Sequence, residues 1–596
     1  SVKLIYEVQV VPHGKADWWN VHIDALTGAV IDKKNLTVYE SKEANHTDFL
    51  SLLNQKTSTA KHQKINFAQT VTGLFNPPPP PTVTSAAYHV IPFPAESPNF
   101  GSPATVNSPW LLSGAGNNAT TNGWHFDGTT NYNITRGNNV FAYLDAGDIN
   151  APNATINWPD TSTTAIPSLT FTQTPNFSLQ PTVTNNKKFA LNNLFYWNNL
   201  MHDVYYQYGF TEVTGNFQTD NMARGGNGND YVQAEAQDGG GTSNANFSTP
   251  VDGIRPRMQM YLFGPGPLTL LVNPPSTIAG GYTAIESNFS TNNKLANVGP
   301  VTAPVAYFTD GAGTHEACTG ASTNPIAGKI ALIMRGNCNF TVKVKAAELG
   351  GAVGVIMINN VAGGPITMGG TDNTITIPAV MVSDVDGALF AANLAAGLNV
   401  TLQGSPNLDG DIDNGIVCHE FGHGISTRLT GGPANSSCLG NAEEGGEGWS
   451  DYIALMMTTN WATAQLTDGT LARPMGTYAI GQVATGLGIR NYPYSTNTTT
   501  NPLNYSHLGL GAVAPWNFSN GTEVHNIGEV WCMALWEMTW GLIQQQGSIN
   551  PNLFNATSTG GNSVALKLVV EGMKLQPCSP GFLDARNAIL RADQNL

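Results

Sequence analysis

The chain has 596 residues, which is enough for roughly four domains of ordinary size. It is 41% hydrophobic and 9% aromatic, a composition that excludes wholesale disorder. Its net charge of −15 excludes the basic surface that nucleic-acid binding requires. No run of the sequence approaches the ~20 apolar residues of a membrane-spanning helix. We therefore expect a folded protein that binds neither nucleic acid nor a membrane.

Several features indicate secretion. The sequence starts at Ser1 without a signal-like apolar segment, as a processed product would. N-x-S/T sequons recur from Asn35 to Asn555, although a chain rich in Asn, Ser and Thr also produces sequons by chance. The 6 cysteines are too few for a disulfide scaffold but suit a few stabilising bridges. We expect an extracellular glycoprotein with disulfide bonds.

Residues 1–84 are predicted to form strands followed by a tether. Apolar and polar residues alternate from Leu4 to Val11, and a second strand is expected over Trp18–Asp24. The polar stretch 41–70 and the five prolines at 77–81 are typical of an extended spacer. We place a domain boundary after residue 84.

Residues 85–404 are predicted to contain two further parts. Residues 85–265 are rich in Asn, Gly, Thr and aromatic residues, which favours strands, and only Phe189–Tyr208 shows helical spacing of apolar residues. Residues 266–404 alternate buried-type strands with helices, which predicts a separate αβ domain. Its predicted elements are the strands Gly328–Met334, Val353–Ile358 and Pro378–Val382, and the helices Val342–Leu349 and Asp386–Ala396.

Residues 405–596 are predicted to be mainly helical. A β-rich half and a helical half together indicate an α+β catalytic domain into which the αβ domain is inserted. The predicted helices are Ile416–Leu429, Gly448–Thr459, Ile527–Gln545 and Val564–Lys574.

An H-E-x-x-H motif lies in the first of these helices. Residues four apart share a helix face, so His419 and His423 can bind one zinc ion. Glu420 lies beside that face, within reach of a water on the metal. The bare motif also arises by chance, so its neighbours in the sequence decide its meaning.

A third ligand is expected downstream, because a catalytic zinc takes three protein ligands and keeps one open position. Glu447 begins a predicted helix, and Asp451 lies one turn further on the same face, where it can orient a ligand histidine. Glu443 and Glu444 are rivals, but they lie in a Gly-rich loop without a helical partner. We favour Glu447.

Two more residues are candidates for substrate contacts. His525 lies at a predicted helix start, where it could donate to an oxyanion or could simply cap or pack the helix. Arg490 could hold a substrate carbonyl, or could be an ordinary surface arginine.

These motifs together resemble the fungalysins, secreted fungal zinc metalloendopeptidases related to thermolysin. The resemblance rests on H-E-F-G-H, then E-G-W-S-D, then V-H-N-I-G-E-V-W, and it covers residues 85–262 and 405–596. It implies a thermolysin-like zincin fold. Further matching segments are Asn133–Asn139, Asn199–Glu212, Gln237–Pro250 and Asp409–Gly415.

The resemblance also implies roles for single residues. It makes His419, His423 and Glu447 the ligands of one zinc ion, Glu420 the general base, Asp451 the partner of a ligand histidine, His525 the transition-state donor, Arg490 a substrate-holding residue, and Asn244, Ala245 and Asn246 the edge that binds substrate backbone. Thermolysin-like enzymes carry a tyrosine shortly before the third ligand. No tyrosine lies between His423 and Glu447 here, so that role is unassigned.

Two other segments carry their own resemblances. Residues 1–35 resemble the last strands of a PepSY-type propeptide, and 266–404 resemble a protease-associated domain. We expect the propeptide remnant to stay docked, packed on the β-rich half or added to a sheet edge, with the cleft open and the chain active. The protease-associated resemblance is carried by Cys318, Gly328–Ile333, Arg335–Phe340 and Ile377–Val380.

The resemblance also bears on the cysteines. It pairs Cys318 with Cys338. We pair Cys438 with Cys578, although relatives continue further to another cysteine that could be the true partner of Cys578. Cys418 and Cys532 either pair or stay as buried thiols.

The predicted function is hydrolysis of internal peptide bonds in proteins or peptides by a monomeric enzyme with one zinc ion. An exopeptidase is an alternative, because protease-associated domains also accompany aminopeptidases, although these usually bind two metals. A second alternative is a secreted binding glycoprotein with an inactive site. The calcium content is left open.

Overall fold

The computed structural model describes most of the chain and divides it into two compact units. The first unit comprises 1–264 and 408–596, and the second comprises 265–407. The predicted spacer at 41–81 and the rival ligand Glu444 lie outside the described residues. The described ranges are 4–12, 15–39, 82–114, 117–177, 179–265, 268–404, 406–443, 445–509 and 522–596.

The first unit begins with strands, as the alternation predicts. Strands β1 (Ile5–Val10), β2 (Trp19–Asp24) and β3 (Val30–Asn35) form an antiparallel sheet in the order β1-β2-β3. Trp19 and Val21 are buried on one face of this sheet. The short strand β4 (Thr37–Tyr39) then leaves this sheet and joins another.

The next part of the first unit contains two sheets and one long helix, α1 (Thr184–Gln207), at the place where helical spacing predicts it. The sheets have the orders β4-β10-β11-β9-β7 and β6-β5-β8. Their strands are β5 (Ser85–Val90), β6 (Ala104–Asn107), β7 (Val140–Leu144), β8 (Ser168–Phe171), β9 (Val232–Ala236), β10 (Ala245–Ser248) and β11 (Arg257–Met260), followed by β12 (Leu262–Pro265).

The second unit is a closed barrel with the strand order β13-β14-β18-β17-β16-β15-β19. Apolar residues such as Ile330, Leu332 and Ile356 fill its core, which is why the central strands read as continuous hydrophobic runs. The disulfide Cys318–Cys338 lies in this unit. Its elements are β13 (Leu268–Val272), β14 (Gly280–Glu286), α2 (Leu295–Val298), β15 (Val301–Tyr307), β16 (Ile330–Met334), α3 (Phe340–Leu349), β17 (Gly354–Ile358), β18 (Ala379–Val382), α4 (Asp384–Asn393) and β19 (Asn399–Leu402).

The chain then returns to the first unit through β20 (Asn407–Asp409), which pairs with β12. Helices follow, and one of them, α9, is absent from the prediction, although its buried residues Phe582, Ala585, Ala588, Ile589 and Ala592 recur at helical spacing. Among the described residues, no helix is long and apolar enough to cross a membrane. The helices are α5 (Asn414–Leu429), α6 (Gly446–Thr458), α7 (Val524–Gln546), α8 (Gly561–Leu575) and α9 (Phe582–Asn595).

The core of the first unit brings α1, α5 and α6 together. Asn193 of α1 is fully buried and donates to Asp411 O at 2.9 Å and to Asn414 Oδ1 at 2.7 Å, which fixes the start of α5. Where α5 crosses α6, a Cβ on Gly422 would lie only 2.9 Å from the Cα of Ser450. A glycine between the two histidines of the motif therefore permits the close approach of the two helices that carry the site.

The remaining cysteines lie in this helical part. Cys438 is bonded to Cys578, so both predicted disulfide pairings are present. Cys418 and Cys532 are buried and not bonded to each other. Of the two possibilities left open for them, the structure contains the free thiols.

Candidate active site

Two neighbouring helices hold the three candidate metal ligands. His419 and His423 lie one turn apart on α5, and Glu447 lies in the first turn of α6. Glu447 Oε2 is 3.1 Å from His419 Nε2, and Glu447 Oε1 is 3.7 Å from His423 Nε2. Ligands about 2.0–2.1 Å from a tetrahedral zinc ion would be roughly 3.3 Å apart. The three buried side chains, all with ligand atoms within 4.8 Å of one another, thus match a zinc donor set in type and spacing.

Two adjacent residues of α6 orient the two imidazoles. Asp451 Oδ1 lies 2.7 Å from His419 Nδ1, and Ser450 Oγ lies 3.1 Å from His423 Nδ1. Each contact involves Nδ1 and so leaves Nε2 facing Glu447. The contact of Asp451 with His419 agrees in geometry with the role predicted for it, which stays a prediction. The contact of Ser450 was not predicted, although Ser450 precedes Asp451 in the same E-G-W-S-D motif.

The charges around the ligands keep the carboxylates ionised. Burial opposes the charge of Glu447, but the neighbouring His525, His423 and His419 outweigh it and hold its pKa well below its usual range. Burial likewise opposes the charge of Asp451, and Arg490 outweighs it, so the pKa of Asp451 also lies well below normal. Glu447 is therefore ready to act as an anionic ligand.

Arg490 lies against Asp451, a contact that the sequence did not predict. Its Nε donates to Asp451 Oδ2 and its second terminal nitrogen donates to Asp451 Oδ1, both at 2.8 Å. Tyr494 adds a short hydrogen bond from its hydroxyl to Asp451 Oδ2. These two residues thereby support the carboxylate that orients His419.

His525 begins α7 and faces the ligands. Its Nε2 lies 3.6 Å from Glu447 Oε2 and 3.0 Å from the carbonyl oxygen of Tyr39. Glu523 Oε1 lies 2.5 Å from its Nδ1, and Glu523 also accepts from the backbone N–H of His525, which caps the helix. Both ring nitrogens of His525 therefore lie within hydrogen-bond distance of oxygen atoms.

The predicted substrate-binding edge is strand β10, and it is occupied. Asn246 is paired with Tyr39 of β4 in an antiparallel ladder that continues through Phe247 and Ser248. Ala245, fully buried, is paired on its other side with Met260. Asn244 precedes the strand and accepts from Ala245 N at 2.8 Å.

The N-terminal segment 16–39 holds this position through further contacts. Thr37 Oγ1 lies 2.6 Å from Ser248 Oγ, and Arg257 donates to Ala16 O at 2.8 Å. Lys34 Nζ donates to Leu439 O at 2.5 Å. These contacts dock the segment on the β-rich part and on the loop that follows α5.

The expectation of an open cleft is wrong on this side of the site. Leu36 and Val38 lie with His423 and Glu447 around a cavity of about 50 Å³, which leaves space for little more than one water molecule. The sequence predicts that the segment packs on the β-rich half or adds to a sheet edge, and β4 does add to an edge there. Alternation alone does not show which sheet edge a strand will join. The free edge of β10 offers unpaired backbone groups, and β4 pairs with them.

The remaining predicted residues are placed as follows. Glu420 is fully buried on α5 beside the ligand histidines. The rival Glu443 accepts from Tyr505 Oη at 2.6 Å and is not part of the ligand group. The position of the thermolysin-type tyrosine stays unassigned.

A second group of acids lies apart from the ligand triad. Asp145, Glu235 and Asp238 also have ligand atoms within 4.8 Å of one another. Tyr143 donates to Glu235 Oε1 at 2.6 Å, and Arg257 Nε lies 3.7 Å from Glu235 Oε2. Burial raises the pKa of Asp238 to about 6. Because Tyr143 and Arg257 already contact the carboxylate of Glu235, this acidic cluster alone does not indicate a calcium site.

Comparisons with known proteins give matches over most of the chain. Residues 87–596 match the family model described as Fungalysin metallopeptidase (M36). "Extracellular metalloproteinase 2" of Arthroderma otae is 30% identical over 590 residues, which are 96% of this chain and 65% of that protein. The protein of the same name from Trichophyton tonsurans is 31% identical over 521 residues, 86% of this chain and 56% of that protein. The chain thus spans roughly three fifths of the length of these relatives.

Among solved structures, an aminopeptidase from Aneurinibacillus sp. strain AM-1 is 28% identical over 25% of this chain and 33% of that chain, with a TM-score of 0.19. A TM-score this low supports no conclusion about the fold or the function of this chain.

Proposed function

Because the chain belongs to the fungalysin metallopeptidase family, we propose that it is a secreted, zinc-dependent endopeptidase that hydrolyses internal peptide bonds of proteins. One observation carries the proposal: two histidines and a glutamate from two helices converge with their ligand atoms within 4.8 Å. The names of the relatives, with their reference to extracellular metalloproteinases, and the many sequons support secretion.

His419, His423 and Glu447 would hold the zinc ion. Neutral imidazoles and one carboxylate are a donor set that zinc prefers, and three protein ligands leave a position for water. When bound, zinc lowers the pKa of water toward about 7 and polarises a carbonyl group. Ser450 and Asp451 keep both histidines in the tautomer that presents Nε2 to the ion.

The other residues of the site move or hold protons and charge. Glu420 would accept a proton from the attacking water on its carboxylate and donate it to the leaving nitrogen. His525 would donate from Nε2 to the carbonyl oxygen as negative charge develops there. The present contact of His525 Nε2 with the Tyr39 carbonyl, at 3.0 Å, supports that role because a carbonyl already occupies the position.

The substrate would bind as an extra strand on β10. Main-chain pairing holds any extended peptide, and side-chain pockets then select among sequences. Strand β4 pairs with β10 in this manner, so we propose that the N-terminal segment competes with substrates and keeps the full chain largely latent.

The second unit, residues 265–407, carries none of the proposed site residues. We propose that it is a protease-associated domain that selects large substrates. Replacing 268–403 by a short Gly/Ser linker is feasible because β12 and β20 pair at its two ends. The replacement should preserve cleavage of small peptides and change the rates on folded proteins. Equal effects on both substrates would overturn this assignment.

The proposed reaction is tested with the full chain and its Leu36→Asp variant, in which the cleft should be free. Zinc content and cleavage of an internally quenched peptide blocked at both ends are measured. One zinc ion per chain and internal cleavage support an endopeptidase. An exopeptidase would not cut the blocked peptide, and a binding glycoprotein with an inactive site would cut neither blocked nor free peptides. Sedimentation of the same samples checks the expected monomer.

A further inference from the structure

A buried carboxyl group that the proposed mechanism does not use lies one helical turn beyond His525 on α7. Glu529 is 1% exposed, and its Oε1 accepts from the backbone N–H of Asn491 at 2.5 Å and from the Asn491 side chain at 3.1 Å. Burial raises its pKa to about 7. Burying a carboxyl group in this interior is unfavourable, because desolvation penalises its charged form. The hydrogen bonds from Asn491 offset part of that cost.

Asn491 is held from α7 by a second residue as well. Its side-chain amide donates to Asn526 Oδ1 at 2.7 Å, and Asn526 follows His525 directly in the chain. Asn491 and Asn526 are both fully buried. Glu529 and Asn526 lie three positions apart on one helix face. Both accept hydrogen bonds from Asn491, which lies in the loop between α6 and α7.

The residue before Asn491 is Arg490, which binds both oxygens of Asp451 at 2.8 Å. Asp451 in turn lies 2.7 Å from Nδ1 of the candidate ligand His419. A continuous chain of contacts therefore links α7, which carries His525, to the loop after α6, then to α6, and finally to α5. Because the N–H of Asn491 belongs to the peptide bond that follows Arg490, fixing that N–H also fixes the backbone from which the guanidinium projects.

We infer that Glu529 is a positioning residue of the active site. Through Asn491 it sets the place of Arg490, and it keeps His525 in register with His419 across the site. The inference rests on the proposed function and adds to it a residue that touches neither the substrate nor the metal ligands. Small displacements of a reacting geometry, of about 1 Å, are enough to cost about a hundredfold in rate.

Glutamine and leucine at this position separate the positioning role from simple packing. Glu529→Gln keeps an acceptor oxygen where Oε1 lies, so it should hold Asn491 in place. Glu529→Leu has a similar volume and no acceptor, so it removes the two hydrogen bonds that Glu529 accepts from Asn491. Glu537→Leu is the matched control, since Glu537 lies on the same helix but is exposed.

The experiment uses the full chain carrying Leu36→Asp, with zinc as the probe metal and the blocked quenched peptide as substrate. Glu529→Leu should lower kcat by about 10- to 100-fold with KM changed less than about threefold, because the substrate strand binds elsewhere. A chelator competition should show zinc bound about tenfold more weakly, as expected when a partner of a ligand histidine shifts. Glu529→Gln and Glu537→Leu should stay within about threefold of the parent in kcat.

Two results would overturn the inference: a Glu529→Leu enzyme with parental kcat and zinc affinity, or a Glu529→Gln enzyme as impaired as the leucine variant. If Glu529→Leu does not fold, Glu529→Met takes its place, because methionine is unbranched like glutamate and its thioether is only a weak acceptor. Glu529→Met should lower kcat about tenfold, and an unchanged kcat would refute the positioning role. A parent chain that binds no zinc and cuts no peptide would instead refute the proposed function.

Discussion

Replacing Leu36 by aspartate should release the N-terminal segment from the cleft and raise peptide turnover. Leu36 is 5% exposed and shares a cavity with Leu439, His423 and Glu447. Its side chain is buried there, and residues of α5, of α6 and of the loop after α5 line the same cavity. An aspartate at this position would lose the burial of an apolar side chain and would place a charged group in this cavity.

The size of the effect follows from these surroundings. Burying a leucine side chain stabilises by about 1.5–3 kcal/mol, so its removal weakens docking by about 2 kcal/mol. We base the magnitude on this lost burial alone, because the zinc ion proposed beside Glu447 would dominate the charge that an aspartate meets there. Because about 1.4 kcal/mol is a factor of ten, the docking equilibrium should shift by about 30-fold or more. Turnover should rise by up to the same factor if the segment is docked in most molecules.

The assay is hydrolysis of an internally quenched peptide blocked at both ends, at equal zinc content. Leu26→Asp is the matched control, because Leu26 lies in the turn between β2 and β3 and is 90% exposed. It makes the same chemical change within the same segment without altering the cleft. Its turnover should equal that of the parent chain.

A Leu36→Asp chain with full zinc content and parental turnover would refute this reasoning. It would mean that the segment either leaves the cleft freely or does not obstruct the substrate. Equal activation by Leu26→Asp would point to a general loosening of the segment rather than to loss of the Leu36 contact.

Further predictions concern the chemistry and stability of the first unit. Glu420→Gln should keep the zinc ion but lower turnover by about 10²- to 10⁴-fold, because the proton acceptor is lost, and near-normal turnover would refute its role as base. Glu447→Ala should lose metal and activity together, as metal analysis of the purified variant will show. Arg428→Met should destabilise the first unit by about 3–5 kcal/mol, since fully buried Arg428 lies 3.0 Å from fully buried Asp230; a loss under about 1 kcal/mol in denaturant unfolding would contradict this. The pKa of Glu529 is raised to about 7, so its protonated form stabilises the fold below the ordinary glutamate pKa and that contribution disappears as the pH rises through 7. Between pH 5 and 8 the parent should therefore lose about 2–3 kcal/mol relative to Glu529→Gln, and a pH-independent difference would refute the assignment.

Local patterns in the sequence were sufficient for many elements. The spacing in H-E-F-G-H places two histidines on one face of a helix wherever that helix lies, and α5 has both of them facing Glu447. The helix at 184–207 and the central strands of the barrel also follow from short-range periodicity. Such features depend on residues only a few positions apart, which is why one sequence is enough to predict them.

Contacts between distant segments were not predictable in the same way. The partner of Arg490 proved to be Asp451, and Ser450 was not anticipated as the partner of His423, because a side chain's neighbours depend on how α5, α6 and the following loops pack. The same holds for Glu529 and Asn491, which meet only after α7 docks on that loop.

By itself, the sequence determined the family, the helices that carry the proposed ligands and the alternating strands of the N-terminal segment. The tertiary structure decided where those strands go. Alternation gives a strand an apolar face but does not select among the free edges of several sheets, and β4 pairs with β10, beside the proposed zinc ligands. That choice depends on backbone hydrogen bonds and on the burial of Leu36 across a long sequence separation. The proposed site is therefore bordered by a segment whose position only the folded chain reveals.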